Sequence, residues 1–257
     1  MNLHLDKKVF IVTGGAKGIG KAITTLLIEE GSSIAIIDKD KDAAKGLIEN
    51  FGKKILFIAG DLSSQKVCKE AITKIAKQFG RIDGLVNNAG RNDGIGLEHG
   101  SPDKFEKSLQ DNLSHFYALA HFALPHLKKS KGSVVNIGSK TSLTGQGNTS
   151  GYVAAKGAVL SLTREWAVEL LPYSIRVNTV IPAEVWTPLY ESWISSFPNP
   201  KAKKKEIEKK IPFEKRFTTP EEIANMVVFL LSDRSSHITG QWIHVDGGYT
   251  HLDRAIQ

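Results

Sequence analysis

The chain is poor in cysteine: Cys68 is the single one in 257 residues. One thiol excludes an intrachain disulfide and any cysteine-rich metal site. The eight histidines show no zinc-ligand spacing, so no metal is expected. No apolar run reaches the roughly 20 residues of a membrane span. The opening Met1-Asn-Leu-His-Leu-Asp-Lys-Lys8 carries no apolar leader core. Lacking both leader and disulfides, the chain is expected in the cytoplasm, with no membrane partner. No Pro/Gly/Ser-rich linker, internal repeat or low-complexity tract divides it. The expectation is therefore one domain over residues 1–257.

What is present is 41% hydrophobic residues, enough for one large core. The 34 Lys and Arg exceed the 27 Asp and Glu, a net charge of +7. Two clusters carry much of the excess, at residues 128–131 and 201–205. The first closes a helical pattern, where cations suit the dipole. The second belongs to a Lys/Glu-rich amphipathic stretch through Lys210. Neither has the interleaved aromatics of a nucleic-acid binder, so no nucleic acid is expected as partner.

Apolar, β-rich runs at 9–12, 34–37, 55–58, 84–86, 133–137, 176–181 and 242–245 predict seven strands. Helical patterns alternate with them at 18–30, 41–51, 64–79, 102–129, 151–171 and 220–231. Such alternation predicts an α/β Rossmann fold, a doubly wound, seven-stranded parallel sheet with helices on both faces. Ligands of these sheets bind beyond the carboxyl ends of the strands. Asp38, Asp61, Asn88, Ser139 and Pro182 fall there. The stretch at about 183–215 breaks the pattern and is long enough to be a lid. Trp186, Tyr190, Trp193 and Phe197 give it an apolar face, consistent with a lid helix over a small-molecule substrate.

Thr13-Gly-Gly-Ala-Lys-Gly-Ile-Gly20 joins the first predicted strand to the first helix. Strand, glycine turn and helix form the context of a dinucleotide site. The spacing is G-x-x-x-G-x-G at Gly14, Gly18 and Gly20. Glycines admit backbone amides to a pyrophosphate, and the helix N-terminus faces its charge. Asp38 ends the second strand eighteen residues after Gly20, where an acidic residue takes the ribose hydroxyls. That carboxylate repels a 2′-phosphate and favours NAD. Lys17 and Lys39 are counter-signals that keep NADP possible. Asp61 either holds the adenine or caps the next helix. The positive net charge would help attract such an anion.

Tyr152 and Lys156 are four residues apart, on one face of a predicted helix, with Ser139 thirteen residues upstream. A bare Tyr-x-x-x-Lys also describes a plain solvated helix face. Beside a dinucleotide site it describes a proton-transfer device. The lysine ammonium is expected to lower the phenol's pKa from about 10. A phenol so tuned is a general base.

Together these residues spell a family. Thr13-Gly-x-x-x-Gly-x-Gly20, Asn87-Asn-Ala-Gly90, Asn112, Ser139, Tyr152-x-x-x-Lys156 and Asp246-Gly-Gly248 occur in order. Over essentially its whole length the chain resembles the short-chain dehydrogenases/reductases. That resemblance implies catalytic Asn112, Ser139, Tyr152 and Lys156. It implies a cofactor held by Gly14, Lys17, Gly18, Ile19, Gly20, Asp38, Asp61, Leu62, Asn88, Ala89, Gly90, Pro182, Val185 and Thr187, with Tyr152 and Lys156. Thr187 would bind the nicotinamide amide, and Asn112 would anchor a water relay with Lys156. The family's usual assembly implies a homotetramer. The stretches 145–152, 181–190 and 245–254 look like those of bacterial L-fucose dehydrogenases, which oxidise a sugar's anomeric carbon to a lactone. The Trp186-Thr-Pro-Leu189 stretch also resembles a hydroxysteroid dehydrogenase branch. Two positions depart from the family pattern: Pro182 is followed by Ala183 rather than glycine, and His115 stands where glycine is usual, a residue read as packing.

In the implied reaction Ser139 bonds the substrate hydroxyl and Tyr152 removes its proton. Lys156 and the positive nicotinamide stabilise the phenolate, and the hydride passes to nicotinamide C4. Polar residues in the loops favour a polyhydroxylated sugar. Asn92, Gln146, Asn148 and Glu184 are the substrate candidates; several such side chains could instead be loop caps or surface groups. Trp186 and Trp193 either stack on a deoxysugar or pack the lid. Competing readings are a hydroxysteroid dehydrogenase or 3-oxoacyl reductase and, least favoured because every catalytic group is present, a non-catalytic dinucleotide sensor.

Overall fold

The protein is described here from a computed structural model, which describes residues 2–252. Asp253 and Arg254, which close the stretch of resemblance at 245–254, lie outside the described residues.

Seven strands form one sheet: β1 (Val9–Thr13), β2 (Ser33–Asp38), β3 (Ile55–Ala59), β4 (Gly84–Asn87), β5 (Ser133–Ile137), β6 (Arg176–Pro182) and β7 (Trp242–Val245). The order is β3-β2-β1-β4-β5-β6-β7 and every pairing is parallel. The helices are α1 (Gly18–Glu29), α2 (Lys41–Phe51), α3 (Gln65–Phe79), α4 (Pro102–Leu109), α5 (His115–Ser130), α6 (Thr141–Thr144), α7 (Ser150–Glu169), α8 (Pro188–Ser195), α9 (Pro200–Lys210) and α10 (Pro220–Leu231).

Parallel strands need crossovers, and the helices that supply them bury both faces of the sheet. Strand side chains alternate between the two faces. Val9 and Ile11 join Ile72 and Ile75 of α3, Phe116 and Leu119 of α5, and Val159 and Trp166 of α7. Phe10 and Val12 join Ile23 and Leu27 of α1, Leu47 of α2, and Val227 and Val228 of α10. All five residues of β1 are consequently buried, which explains why the strand reads as an unbroken apolar run.

The expected doubly wound, seven-stranded parallel sheet is present. Two elements differ from expectation. The helix predicted over 102–129 is broken by a π-helical turn at Gln110–Ser114, which contains the buried Asn112. Such a turn inserts one extra residue and re-aims the side chains that follow. The stretch at 183–215 holds two helices, α8 and α9, where one was expected. Each begins with a proline in its first turn after a side-chain cap, Thr187 and Asn199 respectively. They share a small core of Ile194, Ile207, Ile211 and Phe217, against which Trp186, Tyr190 and Tyr249 pack.

Candidate active site

β1 lies between β2 and β4, so the chain reverses its winding direction there and leaves a crevice beyond the strand ends. The glycine loop lines it. Gly14 has a positive φ of 62°, and its amide donates to the Ile37 carbonyl at 2.9 Å. A Cβ on Gly20 would collide with the Gly14 carbonyl and stand 2.7 Å from Asn88 Nδ2. Asn88 Nδ2 itself braces the loop, donating to the Thr13 and Gly14 carbonyls at 2.8 and 3.2 Å. Thr13 Oγ1 accepts from the Asn88 and Ala89 amides. Helices α2, α3, α4, α8, α9 and α10 begin from capping side chains; α1, like α5, α6 and α7, has no side-chain cap and no acidic residue in its first turn. Its first amides are thus left to an anion, and the loop fits a pyrophosphate.

At the adenosine end, Asp38 accepts from the Ala16 and Asp40 amides at 3.1 and 3.0 Å. The two counter-signal lysines are already paired, Lys17 with Asp40 at 2.5 Å and Lys39 with Asp61 at 3.0 Å. The alternative of Asp61 as helix cap is corrected: Ser64 caps α3, and Asp61 Oδ1 instead accepts from the Ser63 amide at 2.9 Å. That bond, followed by Lys39, holds the Asp61 carboxyl down at about 2. Ile19 packs partly buried beside the α1 core, and Leu62 and Val185 are buried. Pro182 ends β6, its carbonyl accepting from the Lys140 amide at 3.0 Å. Thr187 lies against the glycine loop, its Cγ2 3.3 Å from where a Gly18 Cβ would be.

The catalytic candidates converge at the carboxyl ends of β4 and β5 and on α7. Ser139 lies near enough to the Tyr152 hydroxyl to favour its ionised form. Ser139 Oγ also meets Thr141 Oγ1 at 2.9 Å. Lys156 is 2% exposed, and its Nζ donates to the Ile137 carbonyl at 2.7 Å. A Cβ on Gly90 would stand 3.1 Å from Asn112 Oδ1 and 3.6 Å from Lys156 Nζ, so all three lie together. The Asn112 side chain is committed: its Oδ1 accepts from the Arg91 amide at 2.8 Å and its Nδ2 donates to the Ser108 carbonyl at 3.1 Å.

One expectation about this cluster is corrected. The Tyr152 pKa is pushed up, not down. The ring is half-buried, but the protein packed around its hydroxyl penalises the phenolate. Ser139 opposes this, and Asp93 reinforces it. Lys156 does not offset the burial; its Nζ is 5.7 Å from the Tyr152 ring centre. Burial also brings Lys156 down to about 8, which weakens it as a fixed cation.

Among the substrate candidates, Asn92, Gln146 and Asn148 are exposed rather than buried. Asn92 Oδ1 closes a local turn with the Gly94 amide, and Asn148 has a left-handed φ of 56°. Glu184 uses both carboxylate oxygens within the protein: Oε1 pairs with Lys140, and Oε2 accepts from the Tyr190 hydroxyl at 2.6 Å. Lys140 in turn lies 3.6 Å over the Tyr249 ring. Trp186 packs edge-on against Phe217 with Lys204 over its face, and Trp193 is 46% exposed.

Asn87, already part of the Asn87–Gly90 motif, is joined by supporting residues that escape a sequence reading. Asn87 donates to Asn136 at 3.0 Å, Asn136 to Thr163 at 2.9 Å, and Thr163 meets Thr179 at 2.6 Å. This buried chain ties β4, β5, α7 and β6 together beneath the catalytic cluster. An asparagine in an apolar strand run was the available signal. Lys140 and Asp93 stood out in the sequence only as members of polar loops.

A family model described as enoyl-(acyl carrier protein) reductase matches residues 14–250. L-fucose dehydrogenase of Bos taurus is 37% identical over 249 residues, covering 96% of this chain and 91% of that protein. The crystal structure of Cj0485 dehydrogenase superposes with a TM-score of 0.96 at 46% identity, covering 100% of this chain and 99% of the other. Ligand-free aldohexose dehydrogenase of Thermoplasma acidophilum does so with a TM-score of 0.91 at 32% identity, again covering 100% and 99%. Among the described residues no helix is long and apolar enough to cross a membrane. Sheet order, glycine cradle, the Ser139–Tyr152–Lys156 cluster and these likenesses agree: the chain belongs to the short-chain dehydrogenase/reductase family, oxidoreductases that bind a nicotinamide dinucleotide.

Proposed function

We propose that the protein oxidises the anomeric hydroxyl of an aldose, L-fucose or a close relative, to the lactone, with NAD. The observation that carries the reaction is the convergence of Ser139, just past β5, with Tyr152 and Lys156 of α7, the Lys156 Nζ 5.7 Å from the Tyr152 ring centre and bonded to the Ile137 carbonyl. Ser139 holds the substrate hydroxyl, and Tyr152 takes its proton. Lys156 binds the cofactor ribose. Asn112 lies beside Lys156, where a relay leading the proton outward would begin. Bound nicotinamide supplies the hydride acceptor. Gly14, Gly18 and Gly20 would cradle its pyrophosphate, and Thr187 would meet its amide.

NAD is supported by Asp38 at the ribose position, while Lys17 and Lys39 face Asp40 and Asp61. The sugar is supported by the likeness to L-fucose and aldohexose dehydrogenases. The family model's description keeps acyl-carrier reduction as the second reading. We read the chain as one domain with a lid at about 183–215, working in the cytoplasm as a homotetramer. Tyr117, Val168 and Leu171 offer exposed apolar surface for that assembly, and a single-chain mass on sedimentation would refute it.

A panel of aldoses, steroids and acyl carriers, each with both cofactors, tests the reading through NADH and NADPH absorbance. Aldoses with NAD should turn over best. Turnover confined to acyl carriers or steroids would overturn the sugar assignment.

A further inference from the structure

Asp93 lies on the loop that leaves β4 after Asn87–Gly90. Its Oδ1 is buried, and among the described residues it has no hydrogen-bond partner. An unpaired buried acceptor is costly, and more so when charged. Such an atom in a native protein calls for a partner, a water, an ion or a ligand. The loop is stitched to the start of α7: the Gly151 amide donates to the Ile95 carbonyl at 3.2 Å. Tyr152 is the next residue. The carboxylate is close enough to Tyr152 for its charge to disfavour the phenolate.

Among the described residues, none of the other substrate candidates offers a buried unpaired atom. Both oxygens of Glu184 are taken by Lys140 and Tyr190. Asn92 closes its own turn, and Gln146 and Asn148 face solvent.

The geometry points to Asp93 as the specificity-determining residue that accepts a hydrogen bond from a hydroxyl adjacent to the carbon being oxidised. This rests on the dehydrogenase reading above and narrows it to substrates with a neighbouring hydroxyl. A carboxylate accepts from such a hydroxyl and strengthens the bond through its charge. A steroid alcohol or an acyl thioester without a neighbouring donor leaves Asp93 unpaired and is selected against.

The test uses cis-cyclohexane-1,2-diol and cyclohexanol, with binding to the enzyme–NADH complex read by cofactor fluorescence. The wild type should bind the diol more tightly by about tenfold to a hundredfold, the range of a hydrogen bond to a charged group. Asp93→Ala should abolish that preference while cyclohexanol and NADH bind as before. Asp93→Asn, which preserves shape, should move the pH profile of oxidation to lower pH by removing the charge beside Tyr152. It also carries the test should the alanine variant melt early. Equal binding of the two alcohols by the wild type, or an undiminished preference in both variants, would overturn the assignment. Failure here is separable from failure of the sugar reading. A lost diol preference with no aldose turnover leaves Asp93 standing, and unchanged aldose kinetics in Asp93→Ala leaves the sugar reading standing alone.

Discussion

His115 shows how one residue couples the site to stability. It follows the π turn, where the family pattern has glycine, and is 1% exposed. Its Nε2 meets the Ala89 carbonyl at 3.1 Å, and its Nδ1 has no partner among the described residues. It therefore does more than pack: a neutral ring donating from Nε2 steadies the loop beside the cofactor cradle. Burial, then Lys156, lowers its pKa from 6.5 to about 4. The folded state thus binds fewer protons than the unfolded chain between these values. Its contribution is fully present above pH 6.5 and is lost as pH falls through about 4, amounting to roughly 3 kcal/mol. Urea unfolding at pH 7.5 and 4.5 checks this. The wild type should lose roughly 2–3 kcal/mol more on acidification than His115→Gln; equal losses would refute it. Tyr152 teaches the same lesson in the site. Its Lys156 partner is legible from spacing, but the sign of its pKa shift is set by surrounding mass that spacing does not encode.

At the scale of elements, most of the fold was legible because each strand is a short apolar run and each helix has its own punctuation. The π turn was not, because the apolar pattern runs through it without a break. The pair of helices α8 and α9 was signalled by Pro188 and Pro200, each behind a capping residue, and was undercounted. The tie between the 183–215 stretch and the segment of Ser139 was invisible, since Lys140 and Glu184 are 44 residues apart in the chain. Their side chains are only 10% and 14% exposed. Breaking such a pair leaves a buried charge unmatched, which costs about 3 kcal/mol where burial is complete. Glu184→Gln should therefore loosen α8 and α9. Limited proteolysis should cut within 195–210 several times faster than in the wild type, and the KM for substrate should rise. Unchanged cleavage and KM would mean that the ion pair does not hold the lid.

For the whole molecule, the sheet order is what turns scattered motifs into one site. Pairing β1 with β4 sets Asn88 against the Gly14 loop, 74 residues away in sequence. Pairing β4 with β5 and packing α7 beneath them brings Asn112, Ser139, Tyr152 and Lys156 to one edge. Local motifs named these residues, whereas the Asp93–Tyr152 and Lys140–Glu184 relations arise only when distant loops meet. The central claim is that Tyr152 is the proton acceptor of a nicotinamide-dependent alcohol oxidation. Tyr152→Phe removes the hydroxyl and keeps the ring, so turnover measured by NADH absorbance, alongside NADH binding measured by fluorescence, tests it most directly. The account predicts a fall in kcat of about 10²- to 10⁴-fold in a variant that still binds NADH. Near-normal turnover by the variant would contradict it.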